Sequence, residues 1–229
     1  DPGAWRVVVV DQADELNINA ANALLKSLEE PPARTVFLLV SSEPGRLLAT
    51  IRSRCRTLDL QALEPAALRR AATLALEAAG KEVPAEADWP LLTHLAGGSV
   101  RRLLGLAATG GLDLYKRVHG AISGLPKVAW GDIHRLADEC SGIGTEQKAE
   151  LMFELLLGLL ARLVRAEATG EGTEEERALA ARIAGNGRLA SCAELWETVV
   201  REKGEAQALN LDGKTLILET FARLETLGR

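Results

Sequence analysis

The sequence predicts an α/β segment with a parallel sheet, followed by a long region that is entirely helical. Two runs of mostly β-branched and aliphatic residues, Arg6–Val10 and Thr35–Val40, are typical of buried parallel strands, and a helical pattern lies between them. From Glu64 onward the apolar residues recur at helical spacing. The composition is rich in Ala and Leu, which favour helices, and only 3% of the residues are aromatic. The order strand, helix, strand predicts a parallel sheet.

The first 60 residues are predicted to hold three strands and two helices. A helix is expected from Asn17, which can cap it, through Glu30, and the following Pro31-Pro32 ends it. A short helix is expected around Glu43–Ile51 and a third strand over Arg56–Leu60. Because three strands are too few for a stable open sheet of this kind, we expect the remaining strands upstream of residue 1, in a longer chain.

The rest of the chain is predicted to form helices in two further domains. A cluster of Gly and Pro near Gly120–Trp130 indicates a boundary, so the predicted domains are 1–60, 61–120 and 121–229. Thr173 and Glu176 have the spacing of a capping box. The predicted helices are Pro65–Ala79, Ala85–Ala96, Ser99–Ala108, Leu112–Ser123, Gly131–Cys140, Thr145–Ala168, Thr173–Ala184, Leu189–Lys203 and Glu205–Leu227.

Composition excludes several classes of protein. The formal net charge is −5, with the acidic excess beyond residue 119, whereas a non-specific nucleic-acid binder usually carries a basic excess. The apolar runs are shorter than the ~20 residues that span a membrane, and the spacing of the cysteines predicts reduced thiols in a cytoplasmic protein. Scattered cysteines and histidines predict reduced structural thiols, no metal site and no catalytic histidine; they are Cys55, Cys140, Cys192, His94, His119 and His134.

The first motif is the segment Val7–Asp14, in which a hydrophobic strand ends at Asp11. This pattern resembles a Walker B element, whose Asp holds Mg²⁺ beside a nucleotide phosphate. The next position of an active site carries a Glu that deprotonates the attacking water, but here it is Gln12. An amide cannot take up that proton, so a poor hydrolytic site is predicted. The alternative is a buried strand that merely ends in Asp.

A longer series of motifs follows in a fixed order. The segments Asn22–Pro32, Phe37–Pro44 and Leu47–Cys55 contain the runs NALLKSLEEPP, FLLVSSEP and LLATIRSRC. This series resembles the AAA+ clamp-loader subunits of bacterial DNA polymerase III from about Val7 to Leu60. Because of Gln12, the chain resembles the delta-prime branch of that family more than the ATP-hydrolysing gamma/tau branch.

The resemblance implies a fold and a set of site residues. Residues 1–60 would be the second half of an AAA+ α/β core, 61–120 a helical lid and 121–229 an all-helical collar through which subunits assemble. The triplet Ser53-Arg54-Cys55 matches the arginine-finger motif of the family. Arg54 would then reach the γ-phosphate of ATP in the neighbouring subunit. The alternative is that Arg52, Arg54 and Arg56 form an ordinary solvated edge.

Weaker motifs would contact this subunit's own nucleotide. The segment Gly97–Arg102 resembles sensor 2, which places Arg101 at the contact position, and Ser42 could be the polar sensor-1 residue. The alternatives are a glycine helix stop followed by a Ser N-cap, and a turn residue. Asp11, Ser42 and Arg101 are therefore predicted as a degenerate nucleotide-contacting set.

The family implies a role in replication. The chain is expected to act within the DNA polymerase III holoenzyme, a nucleotidyltransferase complex, and to help load the sliding clamp onto primed DNA. Its expected partners are the gamma/tau and delta subunits and, through the complex, the clamp and DNA, without a membrane. ATP and Mg²⁺ would bind in the neighbouring subunit and no cofactor in this chain, which lacks a complete active site. The alternatives are an ATP-hydrolysing gamma/tau-type subunit and a purely structural interaction module.

Overall fold

The computed structural model describes residues 4–142, 144–209 and 213–228. The chain divides into two compact units, Asp1–Gln61 and Ala62–Arg229. We refer to them as the sheet unit and the helical unit.

The sheet unit contains two parallel strands with a helix between them. Strand β1 is Arg6–Val10, helix α1 is Ile18–Glu29 and strand β2 is Thr35–Leu39, with Arg6 paired to Thr35 and Val10 to Leu39. The predicted cap is confirmed, because the Asn17 side chain accepts a hydrogen bond from the Ala20 N–H at 2.9 Å. The β1-α1-β2 order predicted from the sequence is therefore present.

The prediction of a third strand over Arg56–Leu60 is wrong. Arg56–Leu60 has no regular secondary structure, and Leu58 and Leu60 are 82% and 86% exposed. The described sheet has two strands, so this segment forms no ladder of backbone hydrogen bonds, and alternation of apolar residues cannot by itself supply one. The helix predicted over Glu43–Ile51 is split into a 3₁₀ turn, Pro44–Arg46, and helix α2, Ala49–Arg52.

The helical unit has most of the predicted helices with shifted ends. The predicted break at Gly204 is wrong, because helix α10, Leu189–Leu209, continues through that residue. A single glycine lowers the stability of a helix by only about 1 kcal/mol relative to alanine, so it need not end the helix. Residues 210–212, also predicted helical, lie outside the described residues. The helices are α3 (Pro65–Ala78), α4 (Trp89–Ala96), α5 (Val100–Ala108), α6 (Gly111–Ser123), α7 (Trp130–Glu139), α8 (Glu146–Thr169), α9 (Glu174–Ile183), α10 (Leu189–Leu209) and α11 (Gly213–Leu227).

One hydrophobic core runs through the helical unit from Leu68 to Leu224. Helix α8 lies at its centre, with Leu156 and Leu159 fully buried, and packs against α6, α9 and α10. Helix α6 belongs to the predicted lid and α8 to the predicted collar, so the core crosses the predicted boundary near residue 120. The division into lid and collar stays a prediction.

The three cysteines are unpaired, and two of them are buried. Burial raises the pKa of the Cys140 and Cys192 thiols, which favours the neutral form and suits a structural role. Within the part of the chain that the structure describes, no helix combines the length and apolar character needed to cross a membrane.

Candidate functional site

The loops that follow β1 and β2 meet at the carboxyl edge of the sheet. The Val40 N–H donates to the Val10 carbonyl at 2.9 Å, and the Ala13 N–H donates to the Val40 carbonyl at 2.8 Å. Asp11 and Ser42, two of the predicted site residues, are exposed at this edge. Ligands of open α/β sheets bind outside the carboxyl ends of the strands, so this edge is the candidate position for a ligand.

The Asp11 carboxylate is partly engaged by the backbone beside it. Its Oδ1 accepts a hydrogen bond from the Gln12 N–H at 3.0 Å. Gln12 has a left-handed backbone, with φ of 51°, which costs a non-glycine residue roughly 1–2 kcal/mol. The hydrogen bond to Asp11 helps to hold that conformation. The edge thus presents a carboxylate followed by an amide, and no further side chain among the described residues bonds Asp11 or Gln12.

Asp14 joins the two loops, a role that sequence reasoning missed. Its Oδ2 accepts a hydrogen bond from the Glu43 N–H at 3.1 Å. Burial raises the pKa of Asp14, but backbone N–H groups, including that of Glu43, and the Ser41 hydroxyl outweigh it and hold the pKa below its usual value. Asp14 therefore fixes the turn that presents Ser42, and no spacing rule in the sequence distinguishes it from a surface carboxylate.

Arg54 lies beside the C-terminal end of helix α1. Helix α1 leaves β1 at the carboxyl edge and must return to the amino edge, where the Arg6 N–H bonds the Arg34 carbonyl at 2.8 Å. Its 12 residues span roughly 18 Å. Glu29 is the last residue of α1, and its Oε1 lies 2.7 Å from Nη2 of Arg54. Arg54 thus contacts the end of α1 that is farther along the chain from Asp11.

The Arg54 guanidinium is held from two sides and remains partly open. Nη1 donates to the Thr50 carbonyl at 2.9 Å and lies 3.4 Å from the Ser53 hydroxyl, while Nη2 pairs with Glu29. The Ser53 hydroxyl itself donates to the Thr50 carbonyl at 3.1 Å. The Arg54 side chain is 38% exposed, and Cys55 is half-buried. The triplet thus fixes one face of the guanidinium and leaves another face accessible.

In the helical unit, the two adjacent arginines of the predicted sensor-2 segment differ. The Ser99 hydroxyl caps α5 by accepting from the Arg102 N–H at 3.3 Å, so the predicted cap is confirmed. A Cβ on Gly98 would lie 2.6 Å from that of Ala62, and its φ is 82°, so this position requires glycine. Arg102 pairs with Glu154 of α8 at 2.9 Å, whereas Arg101 is exposed. Only Arg101 of the pair is available for a ligand.

A buried carboxylate, Glu176, connects three helices of the helical unit. Its Oε1 lies 2.9 Å from His94 Nε2 of α4 and 2.8 Å from Arg162 Nε of α8, and its Oε2 accepts from the Thr173 N–H at 3.1 Å. Glu176 is 5% exposed. Burial raises its pKa, but the contacts with His94, Thr173 and Arg162 dominate and lower the pKa to about 2.

The Glu176 network is structural in character because its carboxylate oxygens are all occupied. The predicted capping box is confirmed, since Thr173 also accepts from the Glu176 N–H at 3.1 Å. His94 lies 82 residues away in sequence, so spacing gave no signal of this contact. Over the ranges that the structure describes, no group of three or more His, Cys, Asp or Glu side chains is placed to hold a metal ion.

Part of the chain is similar to known DNA polymerase III subunits. Residues 2–64 match the family model described as DNA polymerase III, delta subunit. The chain is 48% identical over 97 residues to the delta' subunit of DNA polymerase III from Pseudomonas aeruginosa, covering 42% of this chain and 28% of that protein. It is 63% identical over 54 residues to the Escherichia coli delta' subunit, covering 24% and 16%. Over residues 2–64 this chain is therefore similar to the DNA polymerase III delta subunit family.

Gamma/tau subunits of DNA polymerase III are also similar to part of this chain. The gamma/tau subunit of Mycobacterium tuberculosis is 37% identical over 100 residues, covering 44% of this chain and 17% of that protein. The chain thus matches less than a third of the length of each of these relatives. Among solved structures, a DNA polymerase III gamma subunit-related protein from Thermotoga maritima covers 98% of this chain and 73% of its own, with 19% identity and a TM-score of 0.45.

Proposed function

We propose that this chain is a clamp-loader subunit that supplies Arg54 to the ATP site of a neighbouring subunit and does not hydrolyse ATP itself. The observation that carries the proposal is the separation of two features of the sheet unit. Asp11 and Gln12 lie at the carboxyl edge of the sheet, whereas Arg54 pairs with the far end of α1. The contact with the far end of α1 supports the proposal that Arg54 acts on a nucleotide held by another subunit and not on one bound beside Asp11.

The chemistry of Arg54 suits this role. A planar, permanently charged guanidinium binds phosphate oxygens through two parallel N–H groups and stabilises charge that develops on the γ-phosphate. Thr50 and Ser53 hold Nη1, so the fork is already oriented before it meets a ligand. Preorganised charge of this kind needs little rearrangement during the reaction.

The subunit's own nucleotide position is proposed to be degenerate. Gln12 stands where a general base would be needed. Asp11, Ser42 and Arg101 are proposed as contacts that could still touch a nucleotide, while ATP and Mg²⁺ act in the neighbouring subunit.

The remaining parts of the proposal follow from the family. Residues 61–120 would form the AAA+ lid and 121–229 the collar, and the assembly would include gamma/tau and delta subunits. Within the cytoplasmic DNA polymerase III holoenzyme, the complex would place the sliding clamp on primed DNA. The gamma/tau and delta' names of the relatives support these partners.

The test is Arg54→Ala in the full-length subunit of a reconstituted loader, with DNA-stimulated ATPase and clamp loading as readouts. Assembly should remain intact because a partly exposed Arg contributes little folding energy. ATPase at the adjacent site should fall; arginine fingers contribute about 10³–10⁵ in rate in GTPases. Total turnover will fall less if other sites still work. Arg54→Lys should rescue poorly, because an ammonium cannot reproduce the fork.

The matched control is Arg52→Ala. Arg52 is exposed two residues away, and its Nη1 reaches the Pro44 carbonyl at 3.5 Å. Equal, mild effects of both substitutions would mean a generic basic edge, and loss of assembly with Arg54→Ala would mean a structural residue. A selective defect with Arg54→Ala in an intact complex supports the proposal.

The gamma/tau relatives favour one alternative, an ATP-hydrolysing subunit. The two readings differ in the activity of the isolated full-length protein. Our proposal expects no ATP hydrolysis above background and no rescue by Gln12→Glu. Turnover on the order of 1 s⁻¹, within the normal range for enzymes, would establish the alternative.

A further inference from the structure

Among the described residues, Glu29 is the charged group that pairs with the Arg54 guanidinium. Of its recorded acceptors, the Thr50 carbonyl and Ser53 hydroxyl are neutral and lie within the same turn of chain. Glu29 is an anion from a different helix, and its 2.7 Å contact is a charge-assisted hydrogen bond. The group that would meet a phosphate is therefore already paired with a carboxylate of its own subunit.

We propose that Glu29 competes with the neighbouring subunit's nucleotide for Arg54 and so restrains the finger until the two subunits are closely apposed. This inference rests on the proposed function of Arg54. It adds a residue, Glu29, and a form of regulation to that site, because it makes the strength of the finger depend on a contact within the chain.

The competition follows from charge and geometry. Nη2 cannot make a short contact with both Glu29 and a phosphate oxygen unless two anions approach each other, and like charges repel at such distances. When Arg54 binds a phosphate, the Glu29 carboxylate must therefore either move away or remain close to the phosphate and repel it. Thr50 and Ser53 can keep Nη1 in place meanwhile, so opening the pair does not release the whole guanidinium.

The exposure of the pair makes the restraint weak enough to be reversed. The side chains of Arg54 and Glu29 are 38% and 49% exposed, and water screens such ion pairs strongly. Pairs of this kind shift an equilibrium by about 1.5- to 5-fold. A nucleotide that binds several groups at once can overcome a restraint of that size, whereas a loosely apposed subunit cannot.

The chain offers a matched control in the adjacent residue, Glu30. It is also exposed, and its side chain forms no ion pair with the residues that the structure describes. Glu29→Gln and Glu30→Gln remove the same charge from nearly the same place, and each keeps the shape of the side chain. A difference between them reports the contact with Arg54 rather than the general field of the surface.

The experiment has one arm that is independent of the proposed function. In the free full-length subunit, NMR of the arginine side chains should show slowed rotation of the Arg54 guanidinium. Glu29→Gln should speed that rotation, and Glu30→Gln should leave it unchanged. Rotation of Arg54 that is unaffected by Glu29→Gln would overturn the inference, whatever Arg54 does in the complex.

The second arm measures ATPase of the reconstituted loader without DNA, at subsaturating ATP. Glu29→Gln should raise the rate by about 1.5- to 5-fold, and Glu30→Gln should match the unmodified complex. The double variant Glu29→Gln with Arg54→Ala should behave as Arg54→Ala alone. A lowered or unchanged rate for Glu29→Gln, or an equal rise for Glu30→Gln, would overturn competition.

The two proposals fail in different ways. If Arg54→Ala has no selective effect on ATPase, the proposed function fails, and the NMR arm still decides whether the Glu29 contact exists. If Arg54→Ala selectively lowers ATPase but Glu29→Gln resembles the unmodified complex, the proposed role of Arg54 is supported and the proposed competition by Glu29 is wrong.

Discussion

The sheet unit and the helical unit differ in how they bury apolar side chains. In the described part of the sheet unit, the fully buried apolar residues are Ala13, Ala21 and Ile51, while Val9 and Leu38 in the strands are 62% and 51% exposed. The helical unit buries a continuous set of residues from Leu68 to Leu224. Burial of apolar surface is the dominant favourable contribution to folding. Stability of this chain is therefore concentrated in the helical unit.

The two units differ in the same way in their polar contacts. The pair Arg54–Glu29 in the sheet unit is partly exposed, whereas Glu176 in the helical unit is 5% exposed and bonded on every side. An exposed ion pair opens at little cost, but a buried one leaves an uncompensated charge when it is broken. The sheet unit thus carries contacts that a ligand can exchange, and the helical unit carries contacts that hold helices together.

The largest expected effect is on independent folding. Residues 62–229 alone should be helical by circular dichroism and unfold cooperatively, and residues 1–61 alone should not. Residues 126–229 should lose cooperative unfolding, because this truncation removes α6, whose buried Leu114, Val118 and Ile122 belong to the shared core.

This series also tests the domain boundary predicted near residue 120. A stable, cooperative 126–229 segment that binds other loader subunits would support a separate collar. It would also show that α6 contributes little to the core around α8.

Next in size is the loss of the buried carboxylate. Glu176→Ala should lower the free energy of unfolding by up to about 3 kcal/mol, because the half-buried Arg162 loses its anionic partner. Urea denaturation measures the change. Glu174→Ala is the control, since Glu174 is exposed in the same first turn of α9. Similar losses from both substitutions would mean that the first turn, and not the buried network, is responsible.

A pair of apolar truncations compares the units directly. Leu159→Ala, at a fully buried position of α8, should lower the free energy of unfolding by about 2–5 kcal/mol. Val9→Ala, on the exposed side of β1, should lower it by less than about 1 kcal/mol. Thermal or urea unfolding of the same protein provides both values. A loss for Val9→Ala as large as that for Leu159→Ala would contradict the contrast between the two units.

The smallest expected effect is on acid stability. The folded-state pKa of Glu176 is lowered from 4.5 to about 2, so its contribution is present above pH 4.5 and is lost as the pH falls toward 2. At pH 3.5 the loss is about 1.4 kcal/mol. The difference in unfolding free energy between the unmodified protein and Glu176→Gln should therefore narrow by that amount between pH 7 and pH 3.5. A constant difference would mean that the Glu176 pKa is close to its usual value.

Sequence reasoning succeeded where neighbouring residues decide the structure. The caps at Asn17, Ser99 and Thr173 are formed by side chains that bond a backbone N–H three residues later, so spacing alone predicts them. It failed at Arg56–Leu60, where an alternating pattern has no ladder partner in the described sheet. It failed again at Gly204, which lies within α10 instead of ending a helix.

By itself, the sequence determined the β1-α1-β2 order, the helical remainder, the local caps and the motif that contains Arg54. Only the tertiary structure decided that Glu29 pairs with Arg54, that Asp14 bonds the Glu43 N–H and that Glu176 meets His94 and Arg162. Local contacts depend on helix geometry, which is the same in every protein. Contacts between distant residues depend on how each element packs against its neighbours, and no periodicity of the chain encodes that arrangement.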